Sequence, residues 1–257
     1  MSIINAKKSG HRFCAWCGVI CSLGWLIGLS LAGFLPPHPP SMGASEIAEI
    51  YRSDSTRIIA GMIIMGFGSV LYLPWVAEIT VRMKRMEGEF SPWSYTQLGM
   101  GSIFVWVFFL PIIVWICAAY RPDETPDIIL QKMNDFGWIM FLNPVAIAFA
   151  QGVSIGIAIL QNDSKSKIFP RWLGFFNIWA MVMFLPGALL PFFKSGVLAW
   201  NGLFALWLPL VVFVSWMCLM THFLLKAIDS QWSTARQQGI SGHDGKPGLE
   251  HSTPHSV

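Results

Sequence analysis

The sequence predicts an all-α polytopic membrane protein that crosses the bilayer six times. Three observations carry this reading. The chain is 54% hydrophobic and only 12% charged, about half the charge of an ordinary soluble domain. Its apolar residues fall in runs of about 20 or more, the length needed to cross a hydrocarbon core at 1.5 Å rise per residue. From Pro170 to His222 two such runs are parted only by Phe192-Phe193-Lys194-Ser195-Gly196. That link is too short to be anything but the turn of a transmembrane hairpin. A formal net charge of +3 is too weak to suggest nucleic acid as a partner.

Spans are expected at about 13–35, 57–80, 97–119, 137–160, 171–192 and 199–225, within a membrane domain of residues 1–228. Lys7, Lys8 and Arg12 precede the first run as in a signal peptide. The run continues to about Leu35 and ends in prolines, so it reads as a retained helix. Gly24 and Gly28 in the first span, and Gly152 and Gly156 in the fourth, form small-residue faces. Such faces let helices approach closely in lipid, inside the chain or at an interface. Outside the membrane, Pro36 to Pro40 is a stiff extended segment. Ile47, Ile50 and Tyr51 then share one face of a short amphipathic helix suited to the outer membrane surface. Thr125-Pro126-Asp127 starts a second such helix with a cap, a first-turn proline and a first-turn acid. Residues 229–257 lack an apolar period and read as a disordered cytoplasmic tail; His243, His251 and His255 within it are solvated rather than metal-binding.

Twelve of the 17 Lys and Arg side chains fall in the N-terminal tail, the second-to-third link, the fourth-to-fifth link and the C-terminal end. The positive-inside rule places those links, and both termini, in the cytoplasm.

The span centres contain no charge, which disfavours proton coupling through a mid-membrane carboxylate. Glu78 and Arg82, four residues apart, read as an interfacial helix ion pair. Pro111, Pro144, Pro186 and Pro209 fall in the outer halves of their spans, where each loses a helix donor and bends the chain. Four kinks at similar depth would open an outward-facing vestibule. Asn143, Gln151, Lys194, Trp200 and Asn201 would serve it as ligand-binding residues, with Asp54, Arg57 and Asp135 at the rim. The competing account has the prolines merely tolerated and the polar groups tying helices together. His11, Cys14, Cys17 and Cys21 share a helical face. Ten residues of helix span about 15 Å, too far for one tetrahedral ion, so no metal site is expected. The five cysteines lie in or beside apolar runs, which argues against a disulfide framework. No phosphate loop, Ser–His–Asp pattern, HExxH or carboxylate pair is present, so no catalytic residue is assigned, and no cofactor is specified.

The run Pro170-Arg171-Trp172-Leu173-Gly174, with Leu185-Pro186-Gly187, Pro191-Phe192-Phe193-Lys194 and Ala199-Trp200-Asn201-Gly202, resembles an uncharacterised family of bacterial six-helix inner-membrane proteins. Tyr72-Leu73-Pro74-Trp75 and Tyr95-Thr96-Gln97 are similar to it as well. The resemblance implies a bacterial source and an inner-membrane location; it implies no activity or cofactor. The expectation is a non-enzymatic protein that binds or passes a small apolar molecule. One alternative is a subunit of a larger membrane complex or homo-oligomer, docking through the first or fourth helix. The other is a membrane enzyme with an outer-face site at Asp54, Arg57 and Asp135.

Overall fold

The computed structural model describes residues 3–162 and 168–241, and all regular structure in them is helical. Eight α-helices follow in order: α1 Ile3–Leu31, α2 Ala44–Val70, α3 Tyr72–Glu87, α4 Pro92–Tyr120, α5 Asp127–Leu142, α6 Val145–Leu160, α7 Arg171–Phe184 and α8 Leu208–Ser241. Among the described residues six helical stretches are long and apolar enough to cross a membrane: Lys7–Leu31, Ala44–Glu87, Pro92–Tyr120, Asp127–Leu160, Arg171–Phe192 and Leu203–Thr234. This is a multi-pass integral membrane protein.

Proline decides where two spans divide into two helices. A proline ring clashes with the carbonyl four residues back and supplies no N–H. Pro74 lies four residues after Val70, where α2 ends, and α3 starts afresh at Tyr72. Pro144 separates α5 from α6. Pro111, by contrast, is buried inside an unbroken α4. At Pro186 the backbone tightens into a 3-10 helix over Leu185–Phe192. Before Pro209 it widens into a π-helix over Leu203–Trp207, where the Leu208 N–H reaches the Leu203 carbonyl.

Three expected boundaries move. Neither short outer helix stands apart: residues from Ala44 and from Asp127 run on into the membrane-spanning helices. Asp54 (φ −113°, ψ 16°) bends α2 without ending it, since no proline or glycine interrupts the hydrogen-bond ladder there. The last helix continues past residue 229 to Ser241, so the expected tail boundary is no break. Residues 242–257, with His243, His251 and His255, lie outside the described residues, as do Lys165 and Lys167.

The small-residue faces are used within the chain. A Cβ on Gly24 would lie 3.0 Å from the Gly68 Cα, and one on Gly28 would lie 2.6 Å from the Gly61 carbonyl oxygen, so α1 and α2 touch backbone to backbone. Gly152 faces Met181, and Gly156 faces Gly174 and Ile178, so α6 packs on α7 in the same way. A docking partner would have to use another surface.

Contacts sort the links to two ends of the bundle. At one end Arg12 bonds Asp229, Trp93 bonds Gln161 and Arg171 bonds the Leu160 carbonyl. At the other, Arg52 bonds Asp127 and the Pro122 carbonyl, beside Asp123, and Trp200 bonds the His38 carbonyl. Arg82, bonded to Gln231, belongs to the first end.

Candidate functional site: an apolar cavity inside the bundle

The candidate site is a half-open cavity of about 110 Å³ walled by α1, α4, the α5–α6 junction, the end of α7 and the start of α8. Its position follows from the helix defects. Pro144 at the α5–α6 break, Gly187 in the 3-10 turn and Pro209 after the π-helix all line it. At each the backbone departs from a straight α-helix, and neighbouring helices lose the side-chain register that would fill the gap. A π-turn interrupting an α-helix often marks a functional position, and Ala205 and Leu206 of this one face the cavity.

The inner wall is aromatic. Trp25 of α1 packs on Phe108 of α4 with ring centroids 3.8 Å apart and on Phe213 of α8 at 5.3 Å. The Trp25 indole N–H donates to the Ser69 hydroxyl (2.8 Å), which donates to the Met65 carbonyl, so the ring is fixed from behind. Ser22 supplies the only side-chain oxygen in the lining. Its hydroxyl is already engaged, 3.2 Å from the Gly18 carbonyl and 3.1 Å from the Met217 sulfur. A guest here would meet hydrocarbon and ring faces and no free polar anchor.

The polar residues singled out in the sequence lie elsewhere; none of the eight lines the cavity. Asn143 donates to the Gly187 and Ala188 carbonyls (3.4 and 3.2 Å), tying the α5–α6 break to the 3-10 turn. Gln151 is buried and accepts from the Tyr72 hydroxyl (2.8 Å). Trp200 is buried, donates to the His38 carbonyl (2.8 Å) and stacks on Trp138. The Asn201 carbonyl accepts from Trp207. Lys194 is exposed in the link between the last two spans. Asp54 pairs with Arg57 (3.0 Å) and Asp135 approaches Lys132 (4.0 Å), each an i,i+3 contact. No bond unites these outer charges into a site. Asn143, Gln151 and Trp200 join separate segments, since an amide or indole left unpaired in lipid is costly; the others make only local contacts or face out. At the end of the bundle opposite the chain termini, burial pushes the His38 imidazole below its ordinary range, and the Asp54 carboxylate only partly opposes this.

Comparisons with protein-family models, with curated proteins and with solved structures find no match to this chain. The functional reading therefore rests on its own residues.

Sequence reasoning missed a second polar centre. Glu78 and Arg82 form the expected helix ion pair, and their side chains are covered by the protein, 2% and 1% exposed. One Glu78 oxygen accepts from Arg82 Nε (2.7 Å) and Nη2 (2.5 Å), and the other accepts from His11 Nδ1 (2.6 Å). Arg82 Nη1 donates to the Gln231 amide oxygen. Lys8 and Arg12 both reach Asp229, at 2.8 and 2.9 Å. These contacts bind together the ends of α1, α3 and α8 on the side of the chain termini. The i,i+4 spacing of Glu78 and Arg82 was legible; that α1 and α8 would cover them was not. His11 thus serves an ion-pair network rather than the cysteines. Cys17 and Cys21 are buried in the interior and Cys14 is partly buried. Among the described residues no three His, Cys, Asp or Glu side chains approach closely enough to hold a metal ion.

Proposed function

We propose that this protein binds a small apolar molecule within the membrane, in the cavity bounded by Trp25, Phe108, Ala148, Ala205 and Phe213. The observation that carries the reading is the cavity itself: about 110 Å³, lined by apolar groups and placed where the helix defects of three spans converge. Apolar walls with no atoms packed against them forfeit dispersion contacts. A guest that fills the cavity recovers that dispersion energy. The hydrophobic effect contributes little, because the guest arrives from lipid rather than from water. Neither catalysis nor ion movement is part of the proposal.

The charge bias of the links supports both termini in the cytoplasm, and the bacterial inner membrane is the setting that the family resemblance implies. In that orientation Ala44–Ser53, the part of α2 before the bend at Asp54, is on the outer side.

The test is photolabelling with a small apolar diazirine in detergent micelles, with adducts mapped by mass spectrometry. Adducts are expected at Phe108, Ala148 and Phe213. Ala205→Trp, which fills the cavity, should abolish them while lipid-facing Phe67 stays labelled. Equal labelling of Phe108 and Phe213 in both proteins would refute the proposal.

A further inference from the structure

We infer that the natural occupant of the cavity is the end of a hydrocarbon chain of a membrane lipid, entering sideways between the outer halves of α1 and α8. The inference rests on the apolar-binding reading above and names the ligand class and the route. Four observations lead to it.

The first is the seam between α1 and α8. Residues 210, 214, 217 and 221 recur at helical spacing on one face of α8, opposite 15, 22, 26 and 29 on α1. Inward, the seam is closed: Thr221 donates to the Ala15 carbonyl (3.1 Å), Ser22 contacts Met217 (3.1 Å), and Asp229 holds Lys8 and Arg12. Outward of Ser22, among the described residues, no hydrogen bond joins the two helices. There the same faces, through Leu26, Leu29, Leu210 and Val214, become walls of the cavity.

The second is exposure. Leu26, Leu210 and Val214 are only half-buried. Their neighbours on the two helices belong to the lipid-facing surface, with Leu23 51% and Val211 63% exposed. The cavity thus adjoins the hydrocarbon of the bilayer, and no polar rim separates the two.

The third is depth. Phe104 and Phe108 stand at the middle of Pro92–Tyr120, and Leu142 and Pro144 at the middle of Asp127–Leu160. At mid-bilayer the surrounding molecules present acyl or isoprenoid chains; headgroups lie at the interfaces.

The fourth is size and chemistry. A dry apolar cavity of about 150 Å³ takes a molecule the size of benzene, so 110 Å³ accepts a few carbons and no more. With Ser22 already bonded, nothing inside could hold a headgroup. The rest of such a guest must lie outside, along Leu23, Ile27 and Val211, where an extended lipid chain already runs.

The experiment uses the full chain in nanodiscs of phosphatidylethanolamine and phosphatidylglycerol, doped with a phospholipid carrying a diazirine near the end of one acyl chain. Irradiation followed by peptide mapping is compared for wild type, Ala205→Trp and Val214→Trp, the last narrowing the seam. Wild type should carry adducts at Phe108 and Phe213 as well as at lipid-facing Phe67. In both variants the Phe108 and Phe213 adducts should fall roughly tenfold, the effect of about 1.4 kcal/mol, with Phe67 unchanged as the control for folding. If the lipid probe never labels Phe108 or Phe213 while the small free diazirine does, the lipid assignment is overturned and the apolar-binding reading stands. If neither probe reaches them, both fall. Undiminished labelling in the two variants also overturns the inference, because the adducts would then arise away from the cavity.

Discussion

Glu78 and Arg82 show how a single residue's role depends on what covers it. Their spacing was visible in the sequence; their burial comes from His11 on α1 and Gln231 on α8, 67 and 149 residues away along the chain from Glu78 and Arg82 respectively. Removing one partner from a buried ion pair leaves an uncompensated charge and typically costs about 3–5 kcal/mol, whereas replacing both by apolar groups is often neutral. Arg82→Met is therefore expected to lower the thermal midpoint in detergent sharply, and Glu78→Leu with Arg82→Met to restore most of the loss. Two additive losses would show that the two side chains act independently. The eight polar residues marked for the vestibule show the converse. Gln151 and Trp200 are buried and Asn143 is half-buried, and each has a partner within the bundle, the Gln151 oxygen through Tyr72 while its Nε2 has none. Sequence reveals that a polar side chain lies in a membrane helix, but not whether its hydrogen bonds are already satisfied.

At the scale of elements, the six spans and the proline positions were legible because hydropathy and helix chemistry are local. The consequence of each proline was not. Pro111 sits in an unbroken helix, Pro144 and Pro74 divide spans, and Pro186 and Pro209 accompany 3-10 and π backbone. Which outcome prevails depends on the neighbours that accept or refuse the freed carbonyl. The glycine faces were easier to read, since contact between backbones needs small residues on both helices. Gly28 tests this. In Gly28→Ala the new Cβ would meet the Gly61 oxygen at 2.6 Å and the Met65 Cβ at 2.8 Å, and overpacking of that kind costs about 1–3 kcal/mol. Gly10, with nothing within 4 Å of its Cβ position, should instead gain up to about 1 kcal/mol on change to Ala. Differential scanning fluorimetry of the two variants in detergent should move the midpoint in opposite directions; equal shifts would mean α1 and α2 do not touch at Gly28.

For the whole molecule, the ends of α1, α3 and α8 on the side of the chain termini are fastened by ion pairs, and α1 and α2 are pressed together by glycine. The opposite half is looser, with 3-10, π and proline-broken segments gathered around one apolar space. That asymmetry could not be read from the chain, because a cavity belongs to no single element: its walls come from five segments spread between Ser22 and Val214. The central claim is that this space holds an apolar guest. Native mass spectrometry of the protein released from nanodiscs tests it most directly. The account predicts that wild type carries one bound apolar molecule which Ala205→Trp, equally folded by thermal midpoint, has lost. Wild type without such a molecule, or both proteins with it in equal measure, would contradict the account.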